Sequence, residues 1–239
     1  MSAQNNLIGK VASSKTLQAI TQAVQAHPNP AISAGATIGG ALLGYVAQSY
    51  QSDQQEALTE YLHELDLRIH HLDDKKIDES FLYSRDGRRL IARIMRLVYR
   101  DSRKEKIIAA SHLTTKLITS NRLTLDEKEL FVETLDSINV LQLSILQYAT
   151  IQIWQRVQNP HNGFDIGKLA TEYSSKGIKL PMVQQSLKSL ESLGLVNANT
   201  AMVKDVDQTH FVSDYGIEFI QFCTDLTKET ISQQVLEQL

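Results

Sequence analysis

Six arginines, Arg85, Arg89, Arg93, Arg96, Arg100 and Arg103, recur every three or four residues. Only a helix brings such positions together: at about 100° per residue they share one face roughly 80° wide. Leu90, Ile94, Leu97 and Val98 are interleaved with them and supply a core-facing side. The same spacing returns in Leu58, Leu62, Leu65, Ile69 and Leu72, with glutamates and glutamines opposite. Thr124 and Glu127 form a capping-box pattern that opens a helix containing Leu130, Phe131 and Leu135. The expected fold is therefore mostly α: a helical N-terminal bundle followed by a domain with a small β-hairpin.

Further elements follow from breakers and caps. Leu17, Ile20 and Val24 predict a short helix that Pro28 ends, and Asn29 with Pro30 starts a second helix over 31–47, continuing toward Leu72. Helices are expected over 78–100, 103–120 and 139–157, with a break at 159–163. The preferred division is into residues 1–136 and 137–239; the break at 159–163 is the alternative boundary.

A hydrophobic content of 42% with 21% charged residues is ordinary for a globular chain and argues against wholesale disorder. Cys223 is the only cysteine, which excludes an internal disulfide framework and a multi-thiolate zinc site. A reducing compartment is expected, hence the cytoplasm. Residues 1–15 lack the basic start and apolar stretch of a secretory signal, so export is not expected.

Charge is unevenly placed. Residues 85–106 hold nine basic side chains against Asp86, Asp101 and Glu105, while no Asp, Glu, Lys or Arg occurs from Thr16 to Ser52. Inside that uncharged stretch Gly35 and Gly39 stand four apart, as do Gly40 and Gly44. Each glycine costs a helix about 1 kcal/mol relative to alanine, so close backbone packing or an apolar surrounding must compensate. Two readings follow for these four glycines: a glycine-zipper helix in a bundle or homo-oligomer, or a membrane-associated helix. About 17 small or apolar residues sit at the lower limit for spanning a bilayer.

The arginine stripe also has two readings. Arg85, Arg89, Arg93, Arg96, Arg100 and Arg103 are candidates for binding phosphates or an acidic partner, because the planar guanidinium fork matches both groups. Alternatively they form a solvated face, or pair within the molecule with the acidic helix that carries Glu56 to Asp66.

From Asp165 the chain reads DIGKLATEYSSKGIKLPMVQQSLKSLESLGLVNA: a helix, a turn at Gly177, a second helix opened by Pro181 and a stop at Gly194. Leu195 to Ala198 and His210 to Val212 are short strand candidates around a polar tip, and a final helix starts near Tyr215. Residues 137–223 thereby resemble the winged-helix fold. In DNA-binding members the second helix enters the major groove. Here that helix offers Gln184, Gln185 and Lys188 as candidate DNA contacts. Residues 165–214 hold five lysines against six acidic residues, a balance that favours protein contacts over a polyanion.

No catalytic constellation emerges. The GATIGG stretch lacks the preceding strand and following Lys-Ser/Thr of a nucleotide loop. His63, Asp66 and His70 share a helical face without forming a motif of known specificity, and Cys223 among Phe219, Ile220 and Phe222 reads as a buried small hydrophobe. The chain is expected to be non-enzymatic, with no cofactor and no metal.

Residues 79–148, with an ESFL opening, an RDSRKEK turn and a DEKELF helix, are loosely similar to helical modules of poorly characterised bacterial proteins, some from phage-exclusion or mobile-element loci. That resemblance implies an effector setting in such a system. The leading expectation is an oligomeric, non-enzymatic interaction or effector protein with a protein partner. The alternatives are a nucleic-acid-binding regulator using the arginine stripe and winged helix, and a membrane-disrupting effector.

Overall fold

The computed structural model describes residues 52–70, 77–155, 163–198 and 209–226. The predicted helices over 17–24 and 31–47 lie outside them. The described chain is mostly helical, with nine helices and one three-stranded antiparallel sheet among the described residues. It divides into two compact units between Asp136 and Ser137.

The first unit contains α1 (Ser52–His70), α2 (Glu79–Tyr83), α3 (Arg85–Arg100), α4 (Lys104–Thr119) and α5 (Leu125–Ser137). α1 packs along α4 and also against α3. Its buried face is Ala57, Leu58, Tyr61, Leu65 and Ile69, with Leu62 only half-buried. Tyr61, three residues after Leu58 and four before Leu65, shares that face, and its hydroxyl meets Thr114 Oγ1 at 2.8 Å. A buried phenol needs such a partner.

The single helix predicted over 78–100 is two. α2 ends at Ser84, whose hydroxyl donates to the Phe81 carbonyl and accepts from the Gly87 amide, so one side chain closes α2 and caps α3. The chain can turn there because the orphan amides and carbonyls of both helix ends find partners. Asp78 caps α2 through the Phe81 amide, and its own amide donates to the Ile118 carbonyl at the end of α4. The capping box at Thr124 and Glu127 is present in both directions, 2.7 Å one way and 3.3 Å the other.

The second unit runs α6 (Val140–Gln155), β1 (Gly163–Asp165), α7 (Ile166–Ser175), α8 (Leu180–Ser192), β2 (Val196–Ala198), β3 (Thr209–Val212) and α9 (Asp214–Cys223). The sheet order is β1-β3-β2, with Gly163 opposite Phe211 and Val196 opposite Val212. β1 has no counterpart in the predicted elements. Three residues are too few to show alternation, and only β3 completes the pairing.

Gly177 and Gly194 carry positive φ, 77° and 71°, and turn the chain after α7 and α8. Asp165 caps α7 through the amides of Gly167 and Lys168. The core of this unit is built from Phe164, Leu169, Tyr173, Val183, Leu187, Leu190, Phe219 and Ile220, with α6 packed against α8 and α9. Cys223 is part of that core.

Candidate functional site

The arginine stripe lies on α3, whose opposite face buries Leu90, Ile91, Ile94, Leu97 and Val98. Beside it runs α5, parallel to it. Arg89 pairs with Glu129, Arg93 with Glu133 at 2.9 Å, and Arg100 with Asp136; Arg93 also lies 3.8 Å from Asp136. Partner positions advance together along both helices, so the contacts form a ladder. The ladder corrects one sequence expectation: the acidic partner within the molecule is α5, not the helix carrying Glu56 to Asp66. Of that helix, Glu64 pairs with its own neighbour Arg68.

The side chain of Arg89 is 56% exposed and that of Arg100 is 66% exposed, so water screens these pairs. Each is worth a few tenths to about 1 kcal/mol. What holds α5 in place is burial. Phe131, Val132 and Leu135 are covered, the ammonium of buried Lys106 donates to the Leu135 carbonyl, and Lys128 lies 3.6 Å over the Phe81 ring. Burial pushes the Lys128 ammonium below the usual lysine range, against the opposing charge of Asp78.

Arg103 departs from the ladder. It stands at the N-cap position of α4 without a side-chain capping bond and donates from Nε to Asp101 at 2.7 Å. That hydrogen bond holds the Asp101 carboxyl below the usual carboxylate range, while burial opposes it. Arg85, Arg88 and Arg96 have no carboxylate partner among the described residues; Arg96 donates from Nε to the Ala92 carbonyl one turn back. Of the six stripe arginines, Arg89, Arg93, Arg100 and Arg103 are therefore ion-paired while Arg85 and Arg96 are not, and Arg88 beside the stripe is not either.

In the second unit, α8 turns Val183, Ser186, Leu187 and Leu190 inward. Gln184, Gln185 and Lys188 are all exposed. The same helix also exposes Leu180 (42%) and Met182 (55%), which the sequence reading did not single out. Glu191 is turned to His210 on β3, with Oε1 2.7 Å from Nε2, tying α8 to the sheet. The exposed positions of α8 thus include apolar and amide groups and one lysine.

Gly35, Gly39, Gly40 and Gly44 lie outside the described residues. Among the described residues no helix is long and apolar enough to cross a membrane, and no group of three His, Cys, Asp or Glu side chains is placed to hold a metal ion. The residues missed by sequence reasoning are Glu129, Glu133 and Asp136. Their spacing of four and then three residues was a signal, since it puts all three carboxylates on one face of a helix. Comparison of the chain with protein-family models, with curated proteins and with solved structures found no match.

Proposed function

We propose that this chain is a non-enzymatic interaction or effector protein, whose second unit is a winged-helix-like docking module for protein rather than a reader of DNA. The element order of that unit supports the fold reading: a strand, two helices joined by a turn at Gly177, a two-stranded hairpin and a closing helix. The observation that carries the functional reading is the outer face of α8. The exposed positions of that helix include Leu180, Met182, Gln184 and Gln185 with a single lysine, Lys188, a composition suited to a protein surface and poor in phosphate-binding groups.

Self-association through Gly35, Gly39, Gly40 and Gly44 belongs to the same proposal and rests on the sequence. So does the setting in a bacterial defence or mobile-element system, through the resemblance of residues 79–148. The membrane-disrupting alternative uses the same glycines, and flotation with lipid vesicles separates it from assembly in solution.

The docking reading is tested by titrating a labelled DNA duplex with the intact protein at low and physiological salt, beside Lys188→Glu and Gln184→Ala/Gln185→Ala. The expected result is weak binding that none of these substitutions changes. Tight, salt-dependent binding lost in the variants overturns docking in favour of the regulator reading.

A further inference from the structure

The guanidinium stripe of α3 is occupied on one side only. With Arg85 as origin and about 100° per residue, Arg89, Arg100 and Arg93 lie at about 40°, 60° and 80°, and these are the three that hold α5. Arg96, Arg85 and Arg88 lie at about 20°, 0° and −60° by the same construction. The other residues of α3 in that outer arc are Ala92 and Tyr99, so no carboxylate of the helix falls within it. Asp86 lies near 100°, on the occupied side, and pairs with Arg89 at 3.6 Å.

We propose that this outer edge, carried by Arg85, Arg88 and Arg96, docks an acidic helix of a protein partner, with carboxylates spaced as they are on α5. The occupied half supplies the template. Arg89 to Arg100 and Arg85 to Arg96 both advance eleven positions, about 16 Å of helix axis, so a carboxylate ladder that fits the first triad has the right length for the second. Ala92 lies between Arg88 and Arg96 along the edge, and its small side chain lets a second helix approach closely. The inward face of α3 is packed in the core, so the helix is preorganised for binding.

Local charge favours carboxylates over a polyanion. Six arginines of α3 stand beside four carboxylates, Asp86, Glu129, Glu133 and Asp136, leaving an excess of only two. A phosphate polymer draws its affinity from many neutralised charges and is repelled by the ladder next to the edge. A partner helix confined to the edge meets Arg85, Arg88 and Arg96 with Ala92 and Tyr99, and no carboxylate of α3. This surface lies in the first unit and stands or falls independently of the docking face on α8.

The test uses the intact protein and a fluorescent alanine-based helical peptide bearing glutamates at i, i+4 and i+7, beside its glutamine counterpart and a DNA duplex. The glutamate peptide is expected to bind, and the glutamine peptide to bind about tenfold more weakly. Arg85→Glu/Arg88→Glu/Arg96→Glu is expected to lose about the same factor, with circular dichroism checking the fold. Arg85→Gln/Arg96→Gln, a milder change, is expected to lose part of it. No peptide binding, or binding unchanged in these variants, overturns the proposal. A duplex bound more tightly than the peptide through the same three arginines overturns it in favour of a phosphate site.

Discussion

At Gly87 a Cβ would lie 2.0 Å from the Phe81 carbonyl oxygen, because α3 begins hard against the end of α2. Backbone cannot yield as a flexible side chain does. Gly87→Ala is therefore expected to lower stability by about 1–3 kcal/mol in urea unfolding, and an unchanged midpoint would show that the corner at Ser84 shifts freely. Gly216 is crowded in the same way, 2.2 Å from the Leu195 carbonyl oxygen, since the Ser213 amide is bonded to that carbonyl at the start of α9. Asp101 makes a pH prediction. Its folded value is depressed, so its contribution is complete above the ordinary carboxylate value near 3.9 and is lost as pH falls through the depressed value. Asp101→Asn should lower stability at neutral pH and flatten the acid limb of the stability profile. An acid limb parallel to that of the unsubstituted protein would remove Asp101 from this account.

Between elements, the ladder joining α3 to α5 illustrates how contact and stability differ. Its pairs are exposed, so a double-mutant cycle on Arg93→Ala and Glu133→Ala is expected to return a coupling of about 0.2–1 kcal/mol that shrinks as salt is added. A coupling above 2 kcal/mol, insensitive to salt, would mean that the pair is effectively buried. The attachment of α5 depends instead on covered groups. Lys106 is 1% exposed and its ammonium meets a carbonyl of the last turn of α5, where the helix dipole favours a cation. Truncating it to alanine leaves that carbonyl without its donor and opens a void, and should cost more than the loss of any single ladder pair.

For the whole molecule, the decisive property is assembly. Light scattering on the intact protein is expected to show an oligomer that Gly39→Leu shifts toward monomer, because a bulky residue at one glycine prevents close helix approach. A monomer at every concentration, unaffected by that substitution, removes self-association from the proposed function. Detergent-dependent solubility would instead move the glycine-rich segment to a membrane role. Neither outcome alters the reading of α8 or of the outer edge of α3, which rest on other residues.

The sequence by itself determined the helical character and several helix ends, because those depend on neighbours in the chain. Apolar positions three and four apart select a helix face, and Thr124, Glu127, Gly177 and Gly194 act on backbone groups within a few residues. Short-range cues also led to one error, since the apolar period runs on through Ser84 while that hydroxyl ends one helix and begins the next. Tertiary structure decided which carboxylates meet the arginines and that β1 exists. The sequence reading offered only the acidic helix with Glu56 to Asp66 as a partner within the molecule, and exposed ion pairs are too weak to fix such a choice by themselves. Burial of Phe131, Val132 and Leu135 fixes which side of α5 turns inward, and Arg85, Arg88 and Arg96 are left without a carboxylate partner among the described residues.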